Sequence, residues 1–291
     1  MKRVVVTGLG ALTPIGNNIE EYAAALMNGV SGANAITHFD ASKFKTQFAC
    51  EIKDLDTADV LDRRDLRRMD KFSQYAMMTA HEAIKQSGID SEDLNKDRIG
   101  VIWASGIGGL RSLEKEIEDF EGGDGTPRYN PFMIPKMIAD IASGLISMRF
   151  GFRGINYATV SACASSSHAL MNAFDYIRLG RNDIIVTGGS EATVTKAGIG
   201  GFNAMKALST RNDDCKTASR PFDVDRDGFV LGEGGGAIIL EELEHAKKRG
   251  AHIIAEIVGA GATADAHHLT APHPEGLGAA NVMKMALEDG C

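Results

Sequence analysis

The chain has 291 residues and a net charge of −8, from 31 basic against 39 acidic side chains, which excludes bulk nucleic-acid binding. Its 44% hydrophobic and 24% charged content is that of a globular protein with a sizeable core. No apolar run reaches the ~18–20 residues that span a bilayer, and Cys50, Cys163, Cys215 and Cys291 are too scattered for a disulfide framework or a zinc site.

Strands and helices alternate, the pattern of a layered α/β fold. Val4 to Thr7 predicts a buried strand followed by polar turns, with no signal-peptide pattern, so a cytoplasmic location is expected. Helices are predicted near Ile19 to Asn28 and along Phe72, Tyr75, Ala76, Thr79, Ala80, Ala83 and Ile84, the latter stopping near Gly88. Ile99 to Ala104 is a second buried strand leading into Ser105-Gly106-Ile107-Gly108-Gly109. Ile134 to Phe150 predicts one helix interrupted at Gly144. Strands follow at Tyr157 to Val160, Asp183 to Gly188 and Gly236 to Leu240, then a charged helix from Glu241 to Arg249. Ile253 to Val258 is a further strand, and Gly278 to Glu288 an amphipathic helix. A βαβ unit expects a parallel strand after that helix, so the chain is expected to be the truncated part of a longer one.

The most informative stretch is Val160-Ser161-Ala162-Cys163-Ala164-Ser165-Ser166-Ser167-His168-Ala169. A short strand precedes it. Ala169, Leu170, Ala173, Phe174 and Ile177 recur at helical spacing after it, up to Gly180. Cys163 therefore stands at a strand-to-helix turn, where free N–H groups and the helix dipole suit a nucleophile. The small residues around it leave room for a bulky acyl group beside the sulfur. An inert core thiol is the alternative.

That segment resembles the nucleophile motif of the β-ketoacyl-acyl-carrier-protein synthases, within the thiolase-like superfamily. Four other blocks share the resemblance: Val5 to Gly10 with Thr13-Pro14-Ile15-Gly16; Gly200-Gly201-Phe202 with Ala207 to Asn212; Ser219 to Asp223 with Arg226 to Val230; and His267 to Pro272. It extends over essentially the whole chain and is nearest the elongating type, synthase II. It implies a thiolase-like α/β fold of helix-covered sheets built in two related halves. Residues 1–250 would be the N-terminal half with the nucleophile, and 251–291 the start of a second half left incomplete.

The resemblance further implies an acyltransferase of fatty acid elongation. An acyl group moves from the phosphopantetheine of acyl carrier protein to Cys163, whose backbone N–H is one oxyanion-hole donor. Malonyl-carrier protein then loses carbon dioxide, and the carbanion attacks the thioester to give a 3-ketoacyl product. The two histidines, the lysine and the second oxyanion donor that serve this second step have no match among these residues, including all eight histidines. The resemblance assigns Ile107 and Phe202 to the wall or gate of the acyl pocket, Phe229 to its lining and Thr270 to a pantetheine contact. Core packing, or a turn for Thr270, is the alternative. Phe132, Met133 and Ile134 would reach the partner's pocket in a homodimer formed through Tyr157 to Val160. The basic run Arg63, Arg64, Arg67 and Arg68, with Arg128 and Lys206, would dock the acidic carrier protein; a solvated helix face is the usual meaning of such a run.

Neither a cofactor nor a metal is expected. Gly8-Leu9-Gly10 begins like a dinucleotide fingerprint, but Thr13 stands where the third glycine belongs and no ribose-binding acid follows. His267, His268 and His273 lack a metal-ligand spacing. Rival functions are a type II polyketide ketosynthase and a non-catalytic chain-length-factor-like partner, the latter disfavoured by Cys163. Degradative thiolases lack the Arg220-Pro221-Phe222-Asp223 and Gly228-Phe229 blocks.

Overall fold

The computed structural model describes residues 1–291. Strand β1 (Val4–Leu12) leads into helix α1 (Ile19–Met27), the short pair β2 (Asn34–Ala35) and β3 (Phe48–Ala49), α2 (Arg63–Arg68) and α3 (Lys71–Ser87). Then come β4 (Ile99–Ala104), α4 (Leu110–Glu121), α5 (Met133–Met137), α6 (Ile141–Phe150), β5 (Asn156–Thr159) and α7 (Ser165–Arg178). The remainder is β6 (Ile184–Glu191), α8 (Lys196–Ala204), β7 (Gly234–Glu242), α9 (Leu243–Lys248), β8 (Ala255–Ile257) and α10 (Leu277–Asp289).

Six strands form one sheet in the order β5-β4-β6-β7-β1-β8. β4 runs parallel to β5 and β6, while β7 and β8 pair antiparallel with their neighbours. Side chains alternate between two buried faces, as strands covered on both sides require. Val101, Trp103, Ile184, Val186 and Ile239 meet α3 and α6 on one face. Ile102, Ala104, Ile185 and Leu240 meet Ala169, Ala173, Phe174 and Ile177 of α7 on the other. Each large apolar side chain so buried contributes about 1.5–3 kcal/mol relative to exposure. The layered α/β architecture is the one expected, and no helix is long and apolar enough to cross a membrane.

Helix α3 anchors the larger core. Asp70 caps its first turn by accepting from Phe72 N–H at 3.2 Å, and Gly88 ends it in the left-handed region at φ 69°. The other oxygen of Asp70 accepts from the backbone and hydroxyl of Ser112, which ties α3 to α4.

Several boundaries differ from the sequence reading. β1 does not stop at Thr7; it runs through Gly8 and Gly10 to Leu12, because a side chain at either glycine would strike the Ala83 or Thr79 carbonyl of α3. The expected helix 134–150 is two helices, and the break lies at Ile138–Asp140, whereas Gly144 sits inside α6. The Met137 carbonyl accepts from Gly109 N–H at 2.9 Å. Glu241 belongs to β7, and α9 begins only at Leu243.

Glu241 holds the antiparallel side of the sheet. Its fully buried carboxylate receives Arg249 Nε and Nη2, both at 2.7 Å, Thr7 Oγ1 at 3.0 Å and His245 Nδ1 at 2.6 Å. Burial opposes the charge, but the Arg249 and His245 hydrogen bonds outweigh it and hold the carboxyl below the usual range. Arg249→Ala strands this carboxylate and is expected to lower stability by about 3–5 kcal/mol in urea titration. Because the native pKa is depressed, the stabilisation is present above the unfolded value and lost as pH falls through the native one. The gap between wild type and variant should therefore close on acidification below about pH 4.3.

Candidate active site

The three parallel strands end side by side. In register, Ala104 of β4 lies between Thr159 of β5 and Gly189 of β6, so the segments leaving these strands converge at one edge. Ligand sites in parallel α/β sheets form at such carboxyl ends. Here the segments are Ser105–Gly109, Ser161–Ala164 and the end of β6 at Glu191. They surround a cavity of about 530 Å3, closed on its other sides by Phe202 of α8, Phe229, Leu231 and the Gly232–Gly236 stretch entering β7. Phe202 and Phe229 meet edge to face, their ring centres 5.3 Å apart.

Cys163 lies on this cavity and is exposed. It occupies a single 3-10 turn, Ala162–Ala164, immediately before α7. The turn begins with Ala162 in the left-handed region at φ 51°, a strained position for a residue with a Cβ. Ser165 secures it by accepting from Ser161 N–H at 2.8 Å and donating to the Ala162 carbonyl at 2.6 Å. Thr159 Oγ1 donates to the Ser165 carbonyl, and Ser161 Oγ lies 2.6 Å from His168 Nδ1. The turn's own hydrogen bonds use the N–H groups of Ala164 and Ser165. A side chain at Gly189 would crowd Ser166 Oγ at the head of α7 and meet the Ala104 carbonyl at 3.0 Å.

Residues 1–246 match the family described as "Beta-ketoacyl synthase, N-terminal domain". The chain belongs to the β-ketoacyl synthase family. It is 48% identical over 288 residues to a 3-oxoacyl-[acyl-carrier-protein] synthase 2 of Synechocystis sp., spanning 99% of this chain and 69% of that protein. Among solved structures, a β-ketoacyl synthase from Burkholderia phymatum superposes with a TM-score of 0.88 at 33% identity, over 100% of this chain and 71% of that one. A type II polyketide ketosynthase in complex with its acyl-carrier protein and bound to the hexaketide gives 0.87 at 31%, covering 99% and 70%. The fold of this ketoacyl synthase is thus the thiolase-like layered α/β fold.

Of the site residues read from the sequence, Cys163, Ile107, Phe202 and Phe229 come together on the cavity. Thr270 does not line it. It sits exposed in a loop held by its own contacts, with Thr270 N–H and Ala271 N–H both donating to His268 Nδ1. Arg63, Arg64, Arg67 and Arg68 are exposed on α2, and Arg68 stacks on the Phe132 ring at 4.9 Å. Arg128 is exposed and pairs with Asp124; Lys206 is exposed just past α8, remote in sequence from both. No cluster of three or more His, Cys, Asp and Glu side chains is arranged to hold a metal ion.

Sequence reasoning did not single out Glu191, Ser165 or Glu233. Ser165 had a signal in its place two residues after the nucleophile. Glu191, at the end of an apolar strand, and Glu233, within a glycine run, had none beyond being isolated acids among small residues. Glu233 sits between cavity-lining Gly232 and Gly234, with its side chain wholly buried. Burial pushes its pKa up to about 7 despite the hydrogen bond from Ile52 N–H.

Reactivity should follow this geometry. Cys50 and Cys215 are half-buried, and burial pushes the Cys50 thiol up. With limiting iodoacetamide on the folded ketoacyl synthase, peptide mapping is expected to show Cys163 carboxamidomethylated before Cys50 and Cys215. Faster modification of either would remove Cys163 from the nucleophile's role. Cys291, exposed at the last position, is scored separately.

Proposed function

We propose that this ketoacyl synthase acts as a 3-oxoacyl-acyl-carrier-protein synthase of fatty acid elongation, with Cys163 as the residue that receives the acyl group. The observation that carries this reading is one exposed thiol, on a strained turn before a helix, facing a cavity walled by Ile107, Phe202 and Phe229. The sulfur attacks the thioester carbonyl of an acyl-pantetheine arm. A carbon–sulfur bond forms to Cys163 and the bond to the pantetheine sulfur breaks, that sulfur leaving as a thiol with the proton Cys163 loses. The Cys163 N–H faces the oxyanion during the transfer, a contact typically worth ~10²–10³ in rate. No cofactor enters this step, because substrates arrive on the carrier's phosphopantetheine.

No histidine or lysine lines the cavity. The decarboxylation that turns malonyl-carrier protein into a carbanion therefore finds no imidazole and no cation among these cavity residues. With malonyl-carrier protein added, the 291-residue chain is expected to hold its acyl group on Cys163 and release no 3-ketoacyl product, read by mass spectrometry.

Acyl carrier protein is the proposed partner, docked through Arg63, Arg64, Arg67 and Arg68, with Arg128 and Lys206 contributing. A local positive patch fits, since the chain's charge of −8 repels an acidic partner. A homodimer is proposed through β5, which ends the sheet with one unpaired edge and lies near exposed Met148 and Val160. Four free cysteines fit a cytoplasmic setting. A polyketide reading shares the same nucleophile, and the product length made with the cognate carrier separates the two.

The test is acylation of Cys163 by acyl-carrier protein, followed by intact mass. Cys163→Ala is expected to abolish it. Exposed charges are each worth only about 0.2–1 kcal/mol, so single arginine changes should do little. Reversing Arg67 and Arg68 together to Glu should slow carrier-dependent acylation at low salt while transfer from small thioesters continues. Unchanged carrier-dependent rates would return the run to a solvated helix face.

A further inference from the structure

Glu191 is a carboxylate set into the wall of an otherwise small-residue and apolar cavity, and the acyl-transfer chemistry above makes no use of it. Its Oε2 accepts from Gly106 N–H at 2.7 Å and Ile107 N–H at 3.0 Å, and its Oε1 from Ser105 Oγ at 3.2 Å. Ser105 Oγ in turn accepts from Gly108 N–H at 3.0 Å. Every residue from Ser105 to Gly108 is thereby tied, directly or through one hydroxyl, to a single side chain on the neighbouring strand. The arrangement is a nest of backbone N–H groups closed on an internal anion. Burial pushes the Glu191 carboxyl up and these hydrogen bonds pull the other way.

The same turn approaches the residue before the nucleophile. A side chain at Gly106 would meet Glu191 Oε2 at 3.0 Å and the Ala162 carbonyl at 3.5 Å, so Gly106 is wedged between the carboxylate and the residue preceding Cys163. Ile107, next along, is half-exposed at the cavity. We infer that Glu191 is a positioning residue that fixes the Ser105–Gly108 turn, and through the Ile107 side chain sets which acyl lengths the cavity beside Cys163 admits. The inference rests on the proposed acyl transfer to Cys163. Its physical basis is that Ile107 hangs from a turn whose Gly106 and Ile107 N–H groups both go to Glu191; without the carboxylate the turn is free to relax, and the wall it carries shifts.

The experiment measures transfer of hexanoyl and dodecanoyl groups from pantetheine thioesters to Cys163 in the full chain, by intact mass. The readout is the dodecanoyl-to-hexanoyl rate ratio. Glu191→Ala is expected to change this ratio by about tenfold, the size of effect that small changes in an apolar pocket produce. Glu191→Gln, which keeps one acceptor oxygen, should restore part of it. In an Ile107→Ala background, Glu191→Ala should no longer alter the ratio, because the side chain it positions is gone. Equal slowing of both lengths by Glu191→Ala, or an effect on the ratio that persists without Ile107, overturns the inference. Should Glu191→Ala fail to fold, Ser105→Ala removes one of the three hydrogen bonds and is read the same way; an unchanged ratio overturns the inference. No transfer to Cys163 in the wild-type chain would instead strike the acyl-transfer reading, an outcome distinct from transfer with an unaltered ratio.

Discussion

The parallel register of β5, β4 and β6 is the constraint on which the site depends. With Ala104 paired to Thr159 on one side and Gly189 on the other, three neighbouring exits leave the sheet level with one another, each one strand spacing from the next. The nucleophile turn, the Ile107 turn and Glu191 then have nowhere to go but around a common cavity. β7 enters the sheet at that edge, and β1, antiparallel to β7, leaves it there at Leu12, one strand farther along. They brace it, and the buried Glu241–Arg249 pair fastens them to the helices behind.

Polar side chains at this edge serve backbone, not solvent. Ser165 closes the Cys163 turn, Glu191 closes the Ile107 turn, and Asp70 joins α3 to α4. Turns at the mouth of a cavity have N–H groups that no ladder satisfies, and burying them unpaired is unfavourable by roughly 1–3 kcal/mol each. Local serines and carboxylates meet that need from within a cavity wall whose other residues are mostly glycine and apolar side chains.

Much of this was legible in the residues, and the failures have physical causes. α3 announced itself by six apolar residues and Thr79 at helical spacing, and β4 by an unbroken apolar run, because both are buried by their own periodicity. α8 was hidden: three glycines in nine residues argue against a helix by propensity, yet the Thr195 cap and the close approach of Gly198 to the Thr193 carbonyl hold one there. α4 is preceded at its N-cap by Gly109, which offers no side-chain cap, so the usual start signal is missing. The break before α6 comes from a tertiary hydrogen bond, invisible to any local pattern. Cys163 could be located from its strand–turn–helix setting and Ile107, Phe202 and Phe229 through resemblance, whereas Glu191 required knowing that β6 ends opposite the Ile107 turn.

The backbone at Ala162 carries a consequence for how such a site is inherited. A left-handed conformation at a residue with a Cβ is disfavoured by roughly 1–2 kcal/mol. Glycine would adopt it freely, but glycine would also let the turn sample the rest of its allowed space, spreading the sulfur over many positions. Alanine accepts a less stable fold in exchange for a single location of the thiol. Selection for stability alone and selection for turnover therefore pull this one position in opposite directions, and a library scored only on melting temperature would drift toward glycine and a blunter nucleophile.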